Sequence, residues 1–313
     1  MKCAFVFPGQ GSQYVGMGKE FFDHFPAAAE VFNRADRVLG FALSTLCFEG
    51  PASELELTVN TQPAVLTVSC ACFAALSEYG LNPQAVAGHS LGEYSALVAV
   101  GSISLEDAVL LVRKRGRYMQ EAVPVGQGGM AAVLGLPADA VQEVCRRASA
   151  GGGVVEAVNL NCPGQVVIAG ETAALEAAAR LAAEAGAKRC LKLPVSAPFH
   201  SSLMKPAGER LAGDLAGVAV GAPSVPLVAN VSADYVRDGE AVRAALLRQV
   251  YSPVRWEEGV QRLAGDGFKT FVEVGPGRVL GGLIKKICRG AVVLNVEDRP
   301  SLEKVLAHVR EVG

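Results

Sequence analysis

The chain has 313 residues, half of them hydrophobic and 19% charged, with a mean hydropathy of +0.30. That much apolar surface excludes disorder as the main state and suffices for one large domain or two unequal ones. No uninterrupted apolar run of about 18 residues marks a membrane span. A net charge of −2 and a pI near 6.1 give no basis for a nucleic-acid or anionic-membrane binder. The eight cysteines show no zinc spacing and no C-x-x-C, and four scattered histidines mark no metal site. Such thiols read as small buried hydrophobes in a reducing cytosol.

Cys3–Phe7 is a continuous apolar strand, too short for a signal peptide before Pro8-Gly9. Thr61-Gln62-Pro63 predicts the start of a helix running to about Tyr79, broken by Gly80-Leu81-Asn82-Pro83. Gln84–Gly88 reads as a short strand, and a helix follows from about Leu91 to Val100. Ser104-Leu105-Glu106-Asp107, a capping box with Asp in the last place, opens a helix to about Glu121. Alternation of this kind predicts a mostly parallel sheet covered by helices.

The composition then shifts. Gly126-Gln127-Gly128-Gly129 reads as a flexible entry to strand Met130–Leu136, helix Pro137–Ala148 and strand Val154–Leu160. Strand Gln165–Ala169, helix Thr172–Ala185 and strand Lys188–Leu193 follow. This βαββαβ order is the ferredoxin-like pattern. The expected organisation is a large α/β domain over residues 1–125 and 196–313, with a ferredoxin-like subdomain over 126–195 inserted in it. Val225–Asn230, Thr270–Val274 and Ala291–Val296 read as further strands of the large domain.

Gly88-His89-Ser90-Leu91-Gly92 fits G-x-S-x-G between a strand and a helix. A sharp turn there needs minimal bulk at both glycines and lifts the Ser90 hydroxyl clear at a helix N-terminus. The Leu91 N–H would face an oxyanion formed on an acyl group at Ser90. The plainer alternative is a glycine-bounded turn with an N-cap serine. A serine nucleophile needs a base. His89 adjoins the serine and should point elsewhere, while His24 and His308 lie in polar helical stretches. His200 sits where the inserted segment returns to the large domain, and by elimination it is the candidate base; otherwise it caps the following helix. Arg115 falls on the apolar stripe Ala108, Leu111, Val112, Met119, whereas Arg113 and Arg117 point away. A buried guanidinium needs an anion. Periodicity leaves two readings open, a protein carboxylate or an anionic ligand. The loop Phe7-Pro8-Gly9-Gln10-Gly11-Ser12-Gln13 suits close approach of backbone to a ligand, but it matches neither a P-loop nor G-x-G-x-x-G.

These segments together resemble the malonyl-CoA:acyl carrier protein transacylases of fatty-acid synthesis. The resemblance covers essentially the whole chain, from Phe-Pro-Gly-Gln-Gly-Ser-Gln at Phe7 and Thr-Gln-Pro at Thr61 to Gly-His-Ser-Leu-Gly-Glu-Tyr at Gly88. It continues through Arg115-Gly-Arg-Tyr-Met-Gln-Glu-Ala, Pro163-Gly-Gln-Val-Val-Ile-Ala-Gly, His200 with Leu203-Met-Lys-Pro-Ala, and Gly275-Pro-Gly. It implies a hydrolase-like α/β domain with a ferredoxin-like insert. Ser90 would be acylated, His200 its base, and the Gln249 backbone carbonyl the group that orients the histidine. The N–H groups of Gln10 and Leu91 would form the oxyanion hole, and Arg115 would hold the malonyl carboxylate. The implied partners are malonyl-CoA and an acyl carrier protein, with no nucleic acid and no membrane. No metal or redox cofactor is implied, and the setting is cytoplasmic. Phe199 departs from the smaller residue of many stand-alone bacterial members. It resembles malonyl-selective domains of polyketide synthases, which leaves the carrier's pathway open. A start at Met and little sequence beyond the transacylase unit suggest a stand-alone enzyme.

Two other classes compete. A serine esterase or thioesterase shares G-x-S-x-G, but it usually carries an acidic triad member and often an HGGG-type loop, and neither signal is found. A docking subunit that has lost catalysis would not need Ser90, His200 and Arg115. Carrier docking is expected on a helix from about Gly277 to Gly290, where Arg278, Lys285 and Arg289 share one face. A plain solvated face is the alternative.

Overall fold

A computed structural model describes residues 2–195 and 197–312. Among them, ten strands form two sheets: β1 (Cys3–Phe7), β2 (Ala85–Gly88), β3 (Gly128–Leu134), β4 (Val155–Cys162), β5 (Gln165–Glu171), β6 (Arg189–Lys192), β7 (Leu227–Val228), β8 (Tyr235–Val236), β9 (Thr270–Val274) and β10 (Val292–Val296). The first sheet has the order β10-β9-β1-β2-β7-β8. Its strands are parallel except β8, which returns as a hairpin on β7. The continuous apolar run of β1 is buried on both faces, as a central parallel strand requires, and so is β9, which carries Thr270 and Glu273 among its apolar residues.

Register sets the working edge of this sheet. Phe7 lies beside Gly88, Ala87 beside Val228, and Val6 beside Glu273. The loops after β1, β2, β7 and β9 therefore leave side by side at the carboxyl ends of parallel strands, the usual ligand edge of an open α/β sheet.

The second sheet, β4-β5-β3-β6, is antiparallel, with helices Ala138–Ser149 and Thr172–Glu184 between its strands. The β-α-β-β-α-β order is the expected one. A parallel bridge between Asn159 and Val254 ties this sheet to the first body, with Leu160 N donating to Val254 O at 2.9 Å and Val254 N to Val158 O at 2.8 Å.

Local expectations differ in three places. The helix expected from Thr61 begins at Thr58, because the turn after Leu55 feeds straight into it; Thr61 donates its hydroxyl to the Leu55 carbonyl at 2.6 Å instead of capping. Of its 20 residues, long and apolar enough to cross a membrane, 78% of the most hydrophobic window is buried inside the fold, so it is a core helix. Gly128 and Gly129 are strand residues, not a flexible entry: a Cβ on Gly128 would stand 2.7 Å from Pro198. The strand expected over Val225–Asn230 shrinks to two residues, leaving Asn230 in the loop.

Candidate active site

The G-x-S-x-G turn is built as the spacing demands. β2 ends at Gly88, Ser90 adopts φ 52°, and helix Gly92–Ala99 starts at once. A Cβ on Gly88 would meet the Gly92 carbonyl carbon at 1.9 Å, and one on Gly92 would meet the Phe7 carbonyl oxygen at 2.0 Å. Both obstacles are backbone and cannot swing away, so both positions require glycine. A positive φ at a non-glycine is strain of the kind held at reactive sites. His89 points away from the serine as expected: its Nε2 lies 2.8 Å from Asn161 Oδ1 and its ring packs against Trp256.

His200, 3% exposed and itself at φ 64°, brings Nε2 to 2.7 Å from Ser90 Oγ. Its Nδ1 lies 2.8 Å from the Gln249 main-chain oxygen. A carbonyl can only accept, so Nδ1 carries the proton and Nε2 presents a lone pair to the Ser90 hydroxyl. Burial and the neighbouring Arg115 charge push the imidazole down to about 3, so it is neutral at neutral pH.

Arg115 is 1% exposed. Its Nη1 donates to Gln62 Oε1 at 2.8 Å, and its Nη2 to Gln249 Oε1 at 3.0 Å and to Ser90 Oγ at 3.1 Å. The guanidinium also lies 5.5 Å from the Tyr94 ring. Among the described residues no carboxylate forms an ion pair with it. Neutral amides hold this charge; buried Glu93 acts on it electrostatically without forming an ion pair, which favours the second of the two readings that periodicity left open. Arg117 is exposed, as its helical position predicts, and Arg113 lies over Phe41.

Ser90, Arg115 and His200 share with Phe199, Met119 and Met130 a cavity of about 110 Å3. A larger one of about 570 Å3 continues from it across Gln10, His89, Asn159, Leu193 and Val195, which line both. Gln10 and Leu91 border the inner chamber, and among the described residues neither backbone N–H has a hydrogen-bond acceptor. Two free N–H groups beside a serine hydroxyl, a neutral imidazole and an unpaired buried cation suit acyl transfer involving an anionic acyl group.

The wider comparisons agree with that chemistry. The family model described as acyl transferase domain matches residues 4–300. A malonyl CoA-acyl carrier protein transacylase of Bacillus subtilis is 49% identical over 310 residues, 99% of this chain and 98% of its own. This chain belongs to the malonyl-CoA:acyl carrier protein transacylase family. Among solved structures, the acyl-carrier-protein S-malonyltransferase of Burkholderia pseudomallei shares 52% identity at a TM-score of 0.95, covering 98% of this chain and all of that one. A malonyl-transacylase in complex with its type II PKS acyl-carrier protein shares 45% identity at a TM-score of 0.96, covering 98% and 100%.

In this member of the transacylase family the basic residues expected on one helix are distributed differently. The helix spans only Val279–Ile287 and ends where Cys288 turns extended. Arg278 precedes its first turn and is held by Glu297 at 2.6 Å. Arg289 lies in the turn beyond it, and of the three only Lys285 is helical, exposed beside Lys286.

The transacylase site also uses residues that the sequence reading passed over. Gln62 is a lone amide at the head of an apolar helix, and that is the one local signal of its place in the site. Glu93, 1% exposed, is pushed up to about 7 by burial, and a carboxylate inside the apolar run Leu91–Val100 could have flagged it. Asn230 lies 140 positions from Ser90 in the chain, and no spacing rule links the two.

Proposed function

We propose that this acyltransferase moves the malonyl group of malonyl-CoA to the phosphopantetheine thiol of an acyl carrier protein through a malonyl-Ser90 intermediate, supplying fatty-acid chain elongation. The observation that carries the reading is Arg115, a buried cation with no ion-pair partner among the described residues, 3.1 Å from the serine oxygen. A planar fork grips a carboxylate through two hydrogen bonds, and malonyl differs from acetyl by that carboxylate.

The reaction runs in two half-reactions. The Ser90 hydroxyl gives its proton to His200 Nε2 while Oγ forms a bond to the thioester carbonyl carbon. The oxyanion rests on the Gln10 and Leu91 N–H groups. Collapse breaks the carbon–sulfur bond, and the CoA sulfur takes the proton from His200. The carrier thiol then gives a proton to His200 and attacks the malonyl ester, and Ser90 leaves with that proton. The Gln249 carbonyl holds the Nδ1 proton throughout. Because the malonyl carboxylate neutralises the Arg115 charge that depresses His200, the base strengthens as the substrate seats. No step needs a metal or redox cofactor.

The outer cavity takes the thioester arm, lined by the amides of Asn159, Asn161 and Gln165. Phe199 walls the inner chamber against bulkier, branched acyl groups. Lys285 and Arg289 meet an acidic carrier, while Arg278, the third basic residue expected there, is already paired with Glu297. The large domain is hydrolase-like over 1–125 and 196–313, the insert over 126–195 is ferredoxin-like, and the enzyme works in the cytoplasm. Intact-mass measurement after incubation with malonyl-CoA tests the reading. Wild type should gain one malonyl group and Ser90→Ala none; malonylation at another residue, or free malonate as the main product with a carrier present, refutes it.

A further inference from the structure

The polar groups around Ser90 converge on Asn230, 4% exposed, two residues past β7. Its Oδ1 accepts from the Ser90 N–H at 2.7 Å and from Gln249 Nε2 at 3.2 Å. Its Nδ2 donates to the Gly88 carbonyl at 2.7 Å. Its own N–H donates to Glu93 Oε2 at 2.8 Å, and its carbonyl accepts from Arg255 N at 3.0 Å. Its side-chain amide is thus spent on the turn that carries the serine and on Gln249, and its N–H on Glu93 from the helix that follows.

We propose that Asn230 is the positioning residue of the nucleophile, spanning Gly88 and Ser90 across the strained turn and setting which donors face the reacting carbonyl. The inference rests on Ser90 being the nucleophile. It has three parts. One planar amide supplies a donor to Gly88 and an acceptor to Ser90, which fixes the turn from both sides. By occupying the Ser90 N–H, it leaves the oxyanion to Gln10 and Leu91. By accepting from Gln249 Nε2, together with the Ser90 carbonyl at 3.0 Å, it turns Gln249 Oε1 toward Arg115. Acyl selection and nucleophile placement thus meet on one side chain.

Two full-length variants test this, each read by single-turnover acylation with malonyl-CoA and by thermal melting. Asn230→Ala should acylate about 10²-fold more slowly, the scale of a misplaced reacting group. Its preference for malonyl over acetyl should weaken as well, because Gln249 loses one of the two acceptors that aim its Oε1 at Arg115, and its pH profile should keep the wild-type shape. Asn230→Asp should behave differently. Protonated, the introduced carboxyl reproduces both the donor and the acceptor; ionised, it has no donor for Gly88. It faces Glu93 from the helix after the serine, Arg115 across Gln249, and His89 and His200 beside Ser90. Relative to wild type, its rate should be near normal at acid pH and fall as pH rises, a limb that general loss of structure would not create. A folded Asn230→Ala at the wild-type rate, or an Asn230→Asp whose pH profile matches wild type, overturns the inference. Ser90→Ala run alongside separates the two readings: if it still takes up malonyl, the nucleophile assignment falls. If it is inert while both Asn230 variants are normal, only the positioning role falls.

Discussion

Replacing Arg115 by alanine should abolish discrimination between malonyl and acetyl groups. In the free protein the guanidinium is bonded by two glutamine oxygens and the serine hydroxyl; Glu93 acts on it electrostatically, but among the described residues no carboxylate forms an ion pair with it. The substrate carboxylate is then its counter-ion, and breaking a buried pair of this kind costs about 3–5 kcal/mol. At about 1.4 kcal/mol per decade that spans roughly two to four decades, and the opening of the chamber into the outer cavity favours the lower end. The malonyl-to-acetyl ratio of kcat/KM should therefore fall by about two to three orders of magnitude. Acetyl transfer should hold or rise, because burial still depresses His200 but the added effect of the Arg115 charge is gone. The variant strands the Gln62 and Gln249 oxygens while removing a costly buried charge, so melting is measured beside the kinetics. Arg115→Lys should recover part of the ratio, since a point charge lacks the fork. Arg117→Ala, on the exposed side of the same helix, should leave it unchanged. If Arg115→Ala lowers malonyl and acetyl transfer equally in a folded protein, Arg115 is a structural residue and selectivity arises elsewhere.

His200→Ala should slow both half-reactions by about 10²–10⁴; stopped-flow acylation near the wild-type rate would point to another base. Glu93 is raised by burial from an ordinary 4.5 to about 7. Its contribution to stability is therefore complete below its unfolded value and lost as pH rises through 7. Glu93→Gln should remove that loss, on the order of 2–3 kcal/mol, so its advantage over wild type in chemical denaturation should grow between pH 5 and 8; an equal difference at both ends would contradict the assignment. Reversing Lys285 and Arg289 to Glu should raise the apparent KM for the carrier and spare acylation by CoA, as two half-reaction assays would report. Arg278 is omitted because its reversal would test the Glu297 pair instead.

The sequence made the elbow legible because steric demand writes itself locally: Gly88 and Gly92 are required by atoms within a few residues and by the neighbouring strand. Arg115 was legible because helical periodicity exposes a charge on an apolar stripe. The six-element order of the second sheet followed from alternation and turn residues. Asn230 and Gln62 were not legible in that way, since their partners are fixed by sheet register and helix packing across long chain separations. The basic stripe from Arg278 to Arg289 assumed one unbroken helix, and the extended backbone at Cys288 ends it early.

The imidazole is oriented by a main-chain oxygen, and that has a consequence for how the enzyme can be altered. No substitution at position 249 deletes the carbonyl that His200 uses, whereas the Gln249 side chain cradles the selecting cation. Acid–base chemistry is thus insulated from mutation at a position where acyl preference is exposed to it. A library at 62 would vary what is transferred while leaving the base in place, whereas changes at 249 also reach the nucleophile, because that side chain donates to the Ser90 carbonyl and to Asn230. The orientation of the imidazole is therefore harder to lose by a single side-chain change than the amide cradle around Arg115.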